Sequence, residues 1–237
     1  MTRAELRTGG EGGAAAVVPF RDRDAVAQAA ADAMAMALGD GGTFLATGGS
    51  TPGPAYDRLA RLPLPWNRIR VAPTDERFVD PASDDSNEHL IRSRLLVGAA
   101  AEARFTPLRR GGSTPEADAA AAEPEIAALL PAAGMILGMG PDGHIGSLFP
   151  HAQGLAEHLD PNGRRLCVGV DGSPDKPEVP RISLTVRAFL ACAAIVILIT
   201  GEEKRALIEA VLAGNAHAPV AAILFQHRAP VRILWAP

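Results

Sequence analysis

An α/β fold, with a mostly parallel sheet covered by helices on both faces, is predicted by three observations. Strand-like segments alternate with helix-like ones, the strands are apolar on both faces, and they empty into polar loops of which most carry glycine. The 237 residues, at 24.6 kDa with 47% hydrophobic and 21% charged side chains, suffice for one sizeable buried core. Residues 17–237 are read as a single α/β domain. Residues 1–16, Gly/Ala-rich and aperiodic, are read as a flexible tail.

Structure is expected to begin near Val17. Over Asp24–Leu38 the apolar positions Val26, Ala29, Ala30, Ala33 and Ala37 keep helical spacing, and Gly39 supplies a stop. Thr43–Thr47 reads as a short strand ending in Gly48-Gly49-Ser50-Thr51-Pro52, with a helix marked by Tyr56 and Leu59 beyond it. Ile69–Ala72 reads as the next strand and runs into Asp75-Glu76-Arg77. Helices follow over Asn87–Val97 and, despite Pro124, over Ala117–Leu130. Ala133–Leu137 reads as a strand that empties into residues 138–144. Leu166–Val170 reads as a strand, Leu184–Leu190 as a helix and Ala194–Ile199 as a β-branched strand. Glu202–Ala213, with Gly214 beyond it, reads as a helix, and Val231–Trp235 as the last strand. The Pro/Gly/Ala-rich stretches 109–122 and 171–180 read as surface excursions.

Composition narrows the function. With 23 basic against 27 acidic residues the net charge is −4, which offers no broad basic surface, so no nucleic-acid partner is expected. The longest apolar run, Ala188–Ile199, is far short of the roughly 20 residues a membrane-spanning helix needs and is read as a buried strand. The start of the chain mixes Arg3, Glu5 and Arg7 with glycine and lacks a secretory apolar core, so a cytoplasmic protein is expected. Cys167 and Cys192 have no CxxC or CxxH neighbour and read as reduced, buried thiols. His89, His151, His158, His217 and His227 show no HxH or HExxH spacing, and no metal is expected. No GxSxG elbow offers a nucleophilic serine.

Four loops carry candidate chemistry, each beside a plainer alternative. Gly48-Gly49-Ser50-Thr51 with Pro52 could present N–H groups and a helix end to a phosphate, Ser50 capping that helix, or could be an ordinary strand-to-helix turn. It is not a P-loop, because no Lys follows the second Gly at the required spacing. Gly138-Met-Gly-Pro-Asp-Gly143 fits GxGxxG, but Asp142 would oppose a pyrophosphate and Pro150 breaks the helix a dinucleotide site needs. His144 beside Asp142 on this loop suggests instead a general base; the alternative is a solvated histidine on a tight turn. Asp75-Glu76-Arg77 is either a solvated charge cluster or a functional group at a strand's carboxyl end, where Arg77 offers a fork for two phosphate oxygens. Thr200-Gly-Glu-Glu203 has capping-box spacing and puts Lys204 in the first turn of a helix. A cation there opposes the helix dipole unless an anion lies nearby. Either a phosphate or a neighbouring Glu could supply that anion.

Taken together, Leu137-Gly-Met-Gly-Pro-Asp-Gly-His-Ile-Gly-Ser-Leu-Phe-Pro150 resembles the signature of the 6-phosphogluconolactonases, in the superfamily that also holds glucosamine-6-phosphate deaminase. Thr47–Pro52, Thr74–Val79 with Ser86 and Asn87, Arg181-Ile-Ser-Leu-Thr185, and Gly201 with Lys204 resemble that family's other motifs in the same order. The deaminase version of the signature has a Glu where this chain has Phe149, which favours the lactonase branch. Ile145 and Gly146 stand where lactonases more often have Thr-Ala.

The resemblance implies a Rossmann-like fold and cofactor-free hydrolysis of 6-phospho-D-glucono-1,5-lactone to 6-phosphogluconate. It implies His144 as the base that activates water, with Asp142 shaping its loop. Gly48, Gly49, Ser50 and Thr51, with Arg77 and Lys204, would hold the phosphate. Arg181 would contact the phosphate or the sugar acid, and Asp75 and Asn87 the sugar hydroxyls or the loops. The alternatives are an amino-sugar-phosphate deaminase or isomerase, and a non-catalytic sugar-phosphate sensor, for which the short tail cannot supply a DNA-binding module. A monomer or a homodimer is expected.

Overall fold

The computed structural model describes residues 16–150, 152–172 and 179–237. In chain order the elements are β1 (Val17–Pro19), α1 (Arg23–Ala37), β2 (Gly42–Ala46), α2 (Gly53–Leu59), β3 (Ile69–Pro73), β4 (Asp75–Arg77), α3 (Asn87–Arg94), β5 (Arg104–Phe105) and α4 (Pro115–Leu129). They continue with β6 (Gly134–Leu137), α5 (Leu155–Leu159), β7 (Cys167–Val170), β8 (Arg181–Leu184), α6 (Val186–Phe189), β9 (Ile195–Thr200), α7 (Glu202–Leu212), α8 (Ala221–Leu224) and β10 (Val231–Ala236).

Seven strands form one parallel sheet in the order β1-β10-β9-β6-β2-β3-β5, and β4-β8-β7 form a small antiparallel sheet. Side chains alternate across each strand, and here both faces are apolar. In β9, Ile195, Ile197 and Ile199 join one buried cluster while Val196 and Leu198 join the other. Helices α1, α2 and α3 pack on the second of these faces. The first is covered by α4, α6, α7, α8 and the small sheet. Cys167 and Cys192 are buried and unpaired, and burial pushes both thiols up to about 12.

The chain runs from β2 outward to β3 and β5, then returns to β6 on the other side of β2 and proceeds to β9 and β10. This reversal between β2 and β6 is where open parallel sheets leave a crevice at their carboxyl edge.

Several expectations need correction. Leu184–Leu190 is not one helix: Leu184 closes β8, and only Val186–Phe189 is helical. Residues 181–184 pair with both β4 and β7, and this tertiary pairing overrides the local pattern. The apolar run from Ala188 is not all strand either, because Ala188 and Phe189 belong to α6 and β9 starts at Ile195. The helix read over Ala117–Leu130 is present as α4, which starts at Pro115 and so takes residues 115–122 out of the surface excursion read over 109–122; its cap Thr114 accepts a hydrogen bond from the Ala117 N–H (3.2 Å). Ser50 does not cap α2, which starts at Gly53 with Pro52 at its N-cap and no side-chain cap bond. Nor does Thr200 cap α7: it ends β9 in register with Ala236, so Gly201 (φ 89°) takes the N-cap instead. The tail expected over residues 1–16 lies, apart from Ala16, outside the described residues, as do residues 173–178 of the second loop, with Lys176, and His151.

Candidate active site

At the carboxyl edge of the sheet lies a cleft of about 230 Å³. Residues 47–52, after β2, form one wall. Asp75 and Arg77 of β4 reach it from beyond β3, and Asn87 from the first turn of α3. Gly138, Met139, Gly140, His144 and Gly146 line it after β6, and Lys204 enters from the first turn of α7. The sequence-predicted residues thus converge on one cleft. Asp142 and Arg181 stand just behind it, each beside a lining residue.

His144 and Asp142 form a pair on the loop after β6. The imidazole Nδ1 lies 2.6 Å from Asp142 Oδ1, and the His144 backbone N–H donates to the same oxygen (3.2 Å). A carboxylate at that distance holds the ring proton on Nδ1 and leaves Nε2 as the basic nitrogen. Burial pushes the Asp142 carboxyl up, but the hydrogen bond and charge of His144 outweigh it and hold the group below the ordinary aspartate range. The Phe149 ring meets the imidazole edge-on, with centroids 4.6 Å apart, and so limits where the ring can turn. Ile145, beside it, is fully buried in the core rather than facing the cleft.

On the opposite wall the period of a strand separates the charges of β4. Asp75 and Arg77 share the cleft face, and Glu76 between them points away. Arg77 Nη1 donates to Asn87 Oδ1 and to the Asp85 carbonyl, both at 2.8 Å. The Asn87 amide in turn donates to the Asp75 carbonyl (2.8 Å). Arg181 of β8 lies directly across from Arg77 in the antiparallel register. Like charges directly opposite are unfavourable without an anion between or beside them. Burial, and then the charge of Arg77, bring the Arg181 guanidinium below its ordinary range.

Lys204 is half-buried at the start of α7. Burial lowers its ammonium below the usual lysine range, against a weaker opposing pull from Asp142. Glu202 and Glu203 share its helical turn. A cation kept there in spite of desolvation and the helix dipole is suited to an incoming anion.

Sequence reasoning missed the residues that brace these groups. Glu76 is buried and accepts hydrogen bonds from the N–H groups of Arg77 (2.8 Å), Asn87 (2.7 Å) and Glu88 (2.7 Å), and from the Ser86 hydroxyl (3.1 Å). Ser147 donates to Asp75 Oδ2 (2.8 Å) and so ties the loop after β6 to the small sheet. The Tyr56 hydroxyl donates to the Thr47 carbonyl (2.6 Å) at the root of the loop after β2. Alternation through Asp75-Glu76-Arg77 is a signal that could have singled out Glu76. No local signal pointed to Ser147, whose partner is 72 residues away.

The fold and the cleft define an α/β protein with an acid–base pair and several cations at the switch point of a parallel sheet. The chain matches the family described as glucosamine-6-phosphate isomerases/6-phosphogluconolactonase over residues 21–235, and it belongs to that family. It is 46% identical over 193 residues to a 6-phosphogluconolactonase of Caulobacter vibrioides, covering 81% of this chain and 82% of that one. A 6-phosphogluconolactonase of Mesorhizobium japonicum is 37% identical over 224 residues, 92% of this chain and 93% of the other. Among solved structures, a 6-phosphogluconolactonase from Shewanella baltica superposes with a TM-score of 0.88 at 31% identity, over 94% of this chain and 98% of that one.

Proposed function

We propose that this chain, with residues 17–237 acting as one catalytic unit, hydrolyses 6-phospho-D-glucono-1,5-lactone to 6-phosphogluconate in the oxidative branch of the pentose phosphate pathway. The observation that carries the reading is the meeting, in one cleft, of an imidazole oriented by a carboxylate with the cations Arg77 and Lys204. The similarity to 6-phosphogluconolactonases over most of the chain supports the same activity.

A lactone is an activated ester, so water made nucleophilic by one base is enough and no covalent intermediate is required. His144 Nε2 takes a proton from water as its oxygen attacks C1. Charge then collects on the carbonyl oxygen, and the C1–O5 bond breaks as the imidazolium returns the proton to O5. Asp142 keeps the ring in the right tautomer and stabilises the imidazolium. A positioned base contributes typically 10²–10⁴-fold and one oxyanion donor roughly 10²–10³-fold.

Arg77, Lys204 and the loop Gly48-Gly49-Ser50-Thr51 hold the phosphoryl group, so that the carbonyl several bonds away is presented to His144. The loop offers its amides and the hydroxyls of Ser50 and Thr51, and no side chain caps the start of α2 beyond it. Arg181, opposite Arg77, adds to the positive field, and Asp75 and Asn87 contact sugar hydroxyls. Phe149 stands where the deaminase motif has a glutamate, and it can neither donate nor accept a proton.

The working form is placed in the cytoplasm, because a phosphorylated substrate does not cross a lipid bilayer unaided. No helix among the described residues is long and apolar enough to cross a membrane. Lactone hydrolysis coupled to 6-phosphogluconate dehydrogenase, with the spontaneous rate subtracted, tests the proposal. An enzyme-dependent rate is expected. A rate equal to the spontaneous one, or ammonia release from glucosamine 6-phosphate, overturns it.

A further inference from the structure

Two glycines of the cleft lie unusually close to functional side chains. A Cβ built on Gly48 would fall 1.8 Å from Asn87 Oδ1, 2.2 Å from its Cγ and 2.6 Å from its Nδ2. A Cβ built on Gly140 would fall 2.1 Å from His144 Cε1, 2.2 Å from its Nδ1 and 2.7 Å from Asp142 Oδ1. In both cases the three nearest atoms belong to side chains of the cleft rather than to backbone. Neither glycine has the positive φ that would demand glycine for its own conformation, in contrast to Gly49 (φ 92°), Gly143 (φ 80°) and Gly146 (φ 54°).

Gly48 and Gly140 therefore are not there for turn geometry. Nor can their neighbours step aside freely. The Asn87 amide is pinned at both ends, by Arg77 on its oxygen and by the Asp75 carbonyl on its nitrogen. The His144 ring is held by Asp142 on one side and bounded by Phe149 on another.

We propose that Gly48 and Gly140 are positioning residues, each leaving a side-chain-free seat in the cleft: Gly48 for the amide of Asn87, Gly140 for the imidazole of His144. The loop after β2 thus bears on the orientation of Arg77 through Asn87. The loop after β6 carries the imidazole and also the gap in which it lies. The inference rests on the proposed lactonase reading for its kinetic consequences, though not for its geometric ones.

Gly140→Ala and Gly48→Ala separate the two seats. For Gly140→Ala the added methyl displaces the ring from Asp142. We expect kcat to fall by about 100-fold, the scale of a misplacement of roughly 1 Å, with KM little changed. The His144 ring ¹⁵N shifts should lose the signature of an Nδ1–H held by a carboxylate, whether or not substrate is present. For Gly48→Ala we expect KM to rise by about tenfold or more, together with a fall in Tm, because the methyl drives the Asn87 amide from its two hydrogen bonds.

A double-mutant cycle then tests the seat itself. In an Asn87→Ala background the group that the methyl would strike is gone, so Gly48→Ala should add no further loss in KM. Full additivity of Gly48→Ala and Asn87→Ala overturns the seat at Gly48. Unchanged ring shifts and unchanged kcat in Gly140→Ala overturn the seat at Gly140. Failure of the parent enzyme to hydrolyse the lactone defeats the functional reading alone, because the ring shifts, and the cycle repeated on 6-phosphogluconate binding, still report on the seats.

Discussion

Nδ1 of His144 is committed to Asp142, and the proposed chemistry therefore runs through Nε2. His144→Ala removes the base from the cleft side of its loop and gives up the edge-on contact with Phe149. We expect normal folding by circular dichroism and a loss in kcat of about 10²–10⁴-fold; activity near that of the parent would eliminate His144 as the base. Arg77→Ala should instead act on binding. One charge-assisted hydrogen bond is worth roughly 1.5–3 kcal/mol, so KM is expected to rise by about ten- to a hundredfold with a smaller change in kcat. Lys204 gives a pH signature with a definite sign. Burial depresses its pKa from the usual 10.5, so as pH rises it loses its charge earlier than an ordinary lysine would. Affinity for 6-phosphogluconate, which unlike the lactone survives alkali, should weaken on the alkaline side below pH 10.5. Lys204→Arg, with a side chain that stays charged, should abolish that limb in a titration calorimetry series.

Helix α3 starts where it does because Ser86 accepts from the His89 N–H (3.2 Å) and Glu76 gathers the first N–H groups of the turn. Side chains from two separate elements thus satisfy one helix end, and Asn87 is aimed at Arg77 as a by-product of the cap. Burial pushes the Glu76 carboxyl up while the N–H groups of Asn87, Glu88 and Arg77 pull it down, and burial prevails. Glu76→Gln would turn an NH₂ toward two of these donors, whichever carboxylate oxygen it replaces. A loss of about 1–3 kcal/mol in urea unfolding is expected. An unchanged midpoint would mean that the donors find water instead. The strands β2, β3, β6, β9 and β10 were legible in the sequence because each is a short apolar run buried on both faces. Strands β4 and β8 were not. Their side chains include Asp75, Glu76, Arg77, Arg181 and Ser183, which read as loop chemistry and become strand through pairing with each other and, for β8, with β7.

Across the molecule, the cleft is assembled from segments that follow three strands of the large sheet, β2, β6 and β9, with β4 of the small sheet and the first turn of α3, and the Ser147–Asp75 hydrogen bond ties the loop after β6 to β4. A ligand bound there should stabilise the whole fold rather than one loop. At one hundred times its Kd, 6-phosphogluconate is expected to add roughly 2.7 kcal/mol, visible as a raised Tm. An Arg77→Ala variant with a tenfold weaker Kd should keep only about 1.4 kcal/mol at the same concentration. An equal shift in both proteins would mean that the product binds elsewhere.

What the amino-acid order determined unaided is the alternation of two-faced apolar strands with helices, and the chemical identity of the loops that follow them. Both are local properties: hydrophobic period sets the elements, and Gly, His, Arg and Lys at strand ends declare their chemistry within a few residues of chain. Tertiary structure alone decided that Arg181 faces Arg77 across 104 residues, that Ser147 braces Asp75, and that Gly48 and Gly140 must lack side chains. Those facts depend on strand register and on distances between atoms remote in the chain, which no local pattern encodes.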